Sequence, residues 1–219
     1  WRAGMPRPAN SDLKERRRCR PRRMVVVFMR APRFGRVKSR LAADIGSLAA
    51  WQFYRRTSRR LLRRLERDPT WSLVIAWAEP LPEPGAPRRA ADFWQGPGDI
   101  GERMQRCLQM AGPGSVVLLG ADIPSVRARH IRQAFAGLRA APLVFGPARD
   151  GGFWLVGARN SERLPRPLFA AEVRWSSPNT LADVTRSLKQ PFALTEELAD
   201  VDYGADLPSP GSLTGFPGR

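Results

Sequence analysis

A chain of 219 residues is long enough for one sizeable core, so one domain with ragged ends is the expectation, and with 42% hydrophobic residues its composition is that of a globular rather than a wholly disordered chain. Its two cysteines, Cys19 and Cys107, stand far apart without the paired Cys or His spacing of a zinc site, and they point to a reducing compartment. The net charge of +17 is not a nucleic-acid signature in itself: +7 of it lies in residues 1–23, 34 of the 37 basic residues are Arg, and no aromatic-plus-basic recognition pattern accompanies it.

Residues 1–23 are Pro- and Arg-rich without apolar periodicity and start at Trp1, so they are expected to be a disordered basic extension, with Met24 opening the folded part. Met24 to Met29 is a β-branched apolar run of the kind buried on both faces of a parallel sheet, and it is too short to span a bilayer or serve as a signal-peptide core. Cytoplasmic residence, away from membranes, is the expectation. A basic loop, Arg30 to Lys38, leads into helical periodicity between Ser39 and Glu66, with a break at Gly46. Trp71 to Trp77 predicts a second strand. Pro80, Pro82, Pro84 and Pro87 then predict a surface loop.

Further along, Ile100 to Met110 reads as helix, Ser115 to Gly120 as a third buried strand, and Arg127 to Leu138 as helix. Leu143 to Phe145 and Phe153 to Val156 read as strands, Thr180 to Leu188 as a last helix, and the Pro/Gly-rich tail 207–219 as disordered. Strands alternating with helices predict a three-layer α/β/α domain over residues 24–206, its sheet mainly parallel.

Three segments carry chemistry. Val116 to Pro124 runs a buried strand into Asp122, where open α/β sheets bind ligands and a carboxylate suits Mg²⁺ or Mn²⁺. A turn or helix-capping aspartate is the simpler reading of the same residue. Phe145 to Trp154 contains Asp150-Gly151-Gly152, which fits a hairpin turn as well as a close backbone approach to a ligand. Arg30, Arg33, Gly35, Arg36, Lys38 and Arg40 form a loop before a helix start that could hold phosphates, or could simply be solvated; its spacing is not that of a Walker A loop. Gly96 to Gly101 spells G-x-G-x-x-G, but Ala90 to Gln95 make a poor buried strand, which argues against a dinucleotide site. The single histidine, His130, is expected on the surface of its helix, and no hydrolase triad accompanies it.

In this order the segments resemble the radical-SAM/selenodomain-associated transferase family, type 1, which has the GT-A glycosyltransferase-like fold. The resemblance is carried by Phe28 to Leu41, Gly98 to Met104, Gly120 to Pro124, Gly146 to Gly157, Trp175 to Pro178 and Asp200 to Asp202. It implies a nucleotide-diphospho-sugar transferase with Asp122 and Asp150 as catalytic carboxylates. It further implies Arg103, Gly151, Gly152 and Trp175 at the donor site beside the basic loop, and Asp202 with Asp122 at the metal. The partners implied are a nucleotide-activated donor and an acceptor of unknown identity. The basic loop with Lys38 and Arg40 is also similar to that of guanylyltransferases of molybdenum-cofactor and F420 biosynthesis, so nucleotidyl transfer with release of pyrophosphate is the alternative. A non-catalytic Arg-rich binding protein is the third reading.

Overall fold

The computed structural model describes residues 23–80, 92–110 and 113–207; the N-terminal extension up to residue 22, most of the Pro-rich loop and the tail from residue 208 lie outside them. The chain order is β1 (Arg23–Met29), α1 (Ser39–Ile45), α2 (Ser47–Glu66), β2 (Ser72–Trp77), β3 (Phe93–Trp94), α3 (Ile100–Met110), β4 (Ser115–Gly120), α4 (Ala128–Ala140), β5 (Leu143–Pro147), β6 (Phe153–Ala158), α5 (Thr180–Ser187) and β7 (Phe192–Leu194). Seven strands form one sheet in the order β3-β2-β1-β4-β6-β5-β7. The pairs β1–β2, β1–β4, β2–β3 and β5–β7 are parallel, whereas β6 runs antiparallel to both neighbours. This is the expected α/β architecture with a mainly parallel sheet.

Alternation along the strands sorts the core into two layers. Val25 and Val27 of β1 and Val117 and Leu119 of β4 face one side, where Tyr54, Leu61 and Leu65 of α2 and Ile131, Phe135 and Leu138 of α4 cover them. Val26, Val116 and Leu118 face the other side, under Met104, Cys107 and Leu108 of α3 and Val184 of α5. Burying each leucine contributes about 1.5–3 kcal/mol, so the stripes that make the helices amphipathic also fix which face each one covers. Gly46 (φ 85°) divides α1 from α2, as its position in the periodicity predicts. Burial pushes the Cys107 thiol up to about 12, so it behaves as a small apolar core residue.

Because β6 is antiparallel, the β5–β6 turn returns to the edge of the sheet where β1 and β4 end: Leu119 near the end of β4 pairs with Leu155 near the start of β6. Gly146 faces Leu155 and Pro147 faces Phe153, leaving Trp154 as the extra residue of a bulge next to that turn. Strand β7 extends the sheet parallel to β5, so the segment after it heads for the same edge.

Candidate functional site

The loop after β1 is fastened to α2 through its backbone. The Tyr54 hydroxyl accepts from the Arg30 amide at 2.9 Å and lies 3.0 Å from the Arg30 carbonyl, to which it donates. Burial raises the Tyr54 pKa, so the phenol keeps the proton that this donation requires. The Trp51 indole donates to the Pro32 carbonyl at 2.6 Å, and the Glu79 carboxylate accepts from the Ala31 amide at 3.0 Å. At the end of the loop Lys38 takes a left-handed backbone (φ 51°) immediately before α1. Such a conformation costs a non-glycine residue about 1–3 kcal/mol and persists where its surroundings over-determine it.

What over-determines Lys38 is its side chain. Only 6% exposed, it places Nζ 2.8 Å from Oδ2 of Asp122 and 2.6 Å from Oδ1 of Asp202. Burial disfavours the ammonium, but Asp122 and Asp202 together outweigh it and raise the Lys38 pKa. Burial likewise opposes ionisation of Asp202, yet Lys38 and Arg40, the latter 3.1 Å from Oδ2, hold its pKa below the usual carboxylate range. At Asp200 Lys38 compensates only in part: burial first, then the nearby charges of Asp202, Asp150 and Asp122, push it up to about 6.

A cleft runs past Asp122 in two lobes. The larger, about 630 Å³, is lined by Arg30, Arg36, Lys38, Arg40 and Arg103, with Asp202 on its wall. The smaller, about 200 Å³, is lined by Asp150, Asp200, Phe153, Trp154 and Trp175. Asp122, Gly120, Ile100 and Ser176 border both lobes. Ser176 (φ 55°) and Lys38 are the two non-glycine residues with positive φ among the described residues, and both stand at this cleft. Behind the smaller lobe the β5–β6 turn meets the loop before α5. The carbonyl of Gly151 accepts from the Leu181 amide at 3.0 Å, and a Cβ on Gly151 (φ 84°) would collide with the Pro178 carbonyl. The Gly152 amide donates to Asp150 Oδ1 at 2.9 Å, so the Asp-Gly turn is a hairpin turn and a wall of the cleft at once.

Of the residues expected at the site, Asp122, Asp150, Asp202, Arg30, Lys38, Arg40, Arg103, Gly152 and Trp175 line the cleft. Arg33 and Gly35 lie on the same loop but are not among its lining residues, and Gly151 packs behind it. Asp200, Tyr54 and Ser176 were not anticipated individually. Asp200 stands in the sequence beside Asp202 in Asp-Val-Asp and Ser176 beside Trp175 in Trp-Ser-Ser-Pro, whereas nothing local marks Tyr54. The Gly96–Gly101 motif follows only the two-residue edge strand β3. It closes on itself: Asp99 and Glu102 exchange amide-to-carboxylate bonds at 3.0 and 2.8 Å, and Arg103 Nε donates to the Gly98 carbonyl at 2.8 Å.

The expectation for His130 is corrected. It is 1% exposed, on the α4 stripe that faces the sheet, where Nδ1 accepts from the Arg127 amide at 3.1 Å and the ring meets Trp154 edge-on. Burial lowers its pKa, and it serves as a neutral helix cap within the core.

Carboxylate oxygens are hard donors that suit Mg²⁺ or Mn²⁺, and Asp122 and Asp202 already converge on one cationic atom, so the pair fits a divalent ion by chemistry. Among the described residues no group of three or more His, Cys, Asp or Glu is arranged to hold a metal ion. No helix among them is long and apolar enough to cross a membrane.

The fold is shared with a candidate nucleotide-diphospho-sugar transferase from Desulfovibrio desulfuricans G20, which is 26% identical with a TM-score of 0.71 and 83% of each chain covered. It also matches the 4-diphosphocytidyl-2C-methyl-D-erythritol synthase of Anaerococcus prevotii DSM 20548, at 8% identity and a TM-score of 0.52 over 84% of this chain and 94% of that one. The chain thus has a nucleotide-sugar-transferase-like fold. No curated protein matches its sequence. Residues 61–177, from the middle of α2 through β4 and the β5–β6 hairpin to the Ser176 turn, match the family described as "Uncharacterized protein conserved in bacteria (DUF2064)", and the chain belongs to that family.

Proposed function

We propose that the protein is a metal-dependent transferase that takes a nucleotide-activated donor, namely a nucleotide-diphospho-sugar. The observation that carries this reading is the division of the cleft at Asp122: five basic side chains line one lobe, and carboxylates and aromatic rings line the other. A diphosphate lies in the basic lobe, where Arg30, Arg36, Lys38, Arg40 and Arg103 neutralise its charge as it leaves. Arg33 and Gly35 shape the loop that carries them. Asp122 and Asp202 would hold Mg²⁺ or Mn²⁺, which would supply further positive charge to the diphosphate.

Across Asp122, Asp150 accepts the proton of an acceptor hydroxyl as that oxygen bonds to the donor's anomeric carbon. The bond from that carbon to the diphosphate oxygen breaks, and its electron pair leaves with the nucleoside diphosphate. Trp175 and Gly152 bound the space where this occurs.

The five cations of the larger lobe also favour a second reading, since they could accommodate a triphosphate, with attack at its α-phosphorus and release of pyrophosphate. Calorimetry with Mn²⁺, together with analysis of the released phosphate compound, separates the two. Tighter binding of a nucleoside diphosphate or its sugar conjugate than of any triphosphate is expected. Preference for a triphosphate, with pyrophosphate formed on turnover, replaces glycosyl with nucleotidyl transfer. Absence of any nucleotide binding returns the Arg-rich binding protein.

A further inference from the structure

The two lobes differ in charge more sharply than in shape. In a chain of net charge +17, no Lys, Arg or His of the described residues lines the smaller lobe, while Asp122, Asp150 and Asp200 all do. Its remaining wall includes Phe153, Trp154 and Trp175, brought together by the β6 bulge and by the turn at Ser176. Trp175 is held edge-on to Phe153 and to Phe169, with centroids 6.5 and 5.5 Å apart, so its orientation is fixed before anything binds. A carboxylate or phosphate entering this space would meet like charges without a compensating donor from a basic side chain. An ammonium would meet carboxylates and aromatic rings.

We propose that the smaller lobe is the acceptor subsite and that it selects an amino-substituted, cationic polyol of about hexose size, rejecting anionic analogues. The proposal rests on the donor reading given above. The volume of about 200 Å³ suits one such ring. Aromatic walls suit the C–H face of a saturated ring, and carboxylates suit its hydroxyl and ammonium donors. The distribution of charge then orders the whole cleft: the anionic donor is drawn to the Arg-lined lobe and repelled from the acidic one, and the acceptor is sorted in the opposite sense.

The test is a titration of the full chain with three sugars of one ring size, D-glucosamine, D-glucose and D-glucuronate, at pH 6.5 with Mg²⁺ present. Glucosamine should bind roughly tenfold more tightly than glucose, as a charge-assisted contact requires, and glucuronate should not bind detectably. Asp150→Asn keeps the Oδ1 acceptor of the Gly152 amide bond, so the fold is retained while the preference for glucosamine falls several-fold. Equal affinity for the three, tighter binding of glucuronate, failure of glucosamine to bind, or an unchanged preference in Asp150→Asn overturns the proposal. Nucleotide titration of the same samples reads the larger lobe separately. A kept preference for glucosamine with no nucleotide binding would sink the donor reading alone.

Discussion

The ammonium of Lys38 lies 2.8 Å from Oδ2 of Asp122, joining the loop after β1 to the loop after β4 across the mouth of the cleft. It also lies 2.6 Å from Asp202, whose other oxygen Arg40 contacts at 3.1 Å, so one ammonium bridges two carboxylates that would otherwise repel each other. Lys38→Ala removes a charge from the wall of the larger lobe and, on the proposed donor reading, is expected to weaken nucleotide binding roughly 10- to 100-fold, the loss of one charged hydrogen bond. It also frees the carboxylate pair, so Mn²⁺ alone should bind more tightly to the variant, as read by paramagnetic relaxation. A variant with unchanged nucleotide affinity would place the phosphates elsewhere.

Asp122→Asn keeps shape and removes charge. Its side chain borders both lobes and is about one-third exposed, so the fold should survive the change with near-native circular dichroism. Mn²⁺-dependent nucleotide affinity should be lost, because an amide is a poor substitute for a carboxylate at a hard cation. Retention of that dependence in calorimetry would remove Asp122 from the metal.

Gly151 has a positive φ and a backbone carbonyl against its missing Cβ. Gly151→Ala must therefore move the β5–β6 turn away from Pro178 or strain both, at a cost of about 2–3 kcal/mol and a fall in Tm of roughly 5–10 °C. Because Asp150 and Gly152 move with the turn, binding in the smaller lobe should weaken beyond what the loss of stability explains. A Tm within one or two degrees of the parent would show that the close approach is not tight in solution.

Asp183 is held by two hydrogen bonds from the Arg174 guanidinium, both 2.8 Å long, and these are the main reason its pKa is depressed to about 2. A carboxylate with a folded-state pKa below its unfolded value of about 3.9 stabilises the fold above that value, and the contribution is lost as pH falls toward 2. Stability should therefore fall between about pH 4 and pH 2. Asp183→Asn should flatten that part of the profile in urea unfolding while lowering stability at neutral pH. Asp68, also depressed through Thr70 and Arg132 against its burial, leaves a residual slope in the same direction.

How much of this was legible depended on length and on distance along the chain. β1, β4 and the helices could be read because their apolar runs or stripes extend over six or more residues, enough for period to show. β3, with two residues, and β7, with three, are too short for alternation to register; β7 is defined by pairing with β5 rather than by its own sequence. His130 could have been placed in the core, since it shares the stripe of Ile131, Ala134, Phe135 and Leu138. Its polarity outweighed its position. At the site, Asp122 was legible from the strand that delivers it. The pairing of Lys38 with Asp202, 164 residues away, was not, because it arises only when β7 docks at the far edge of the sheet.

That dependence on β7 predicts two thresholds of collapse. The strand is short and at the sheet edge: it makes three register pairs with β5, Phe192 meets Phe145 edge-on, and both Phe192 and Leu194 remain exposed. Short edge elements open at lower free energy than the sheet they border. Asp200 and Asp202 lie on the segment that β7 delivers to the cleft, so fraying of this one edge would dismantle the carboxylate end of the site while α2 and α4 still cover a folded sheet. In a urea series, ligand binding should disappear before far-ultraviolet dichroism changes, and amide exchange at residues 193–195 should be fast beside that of β1 and β4. The last strand would then act as the fuse of the molecule: it fails first, and its failure silences the site while most of the fold remains available for rapid recovery.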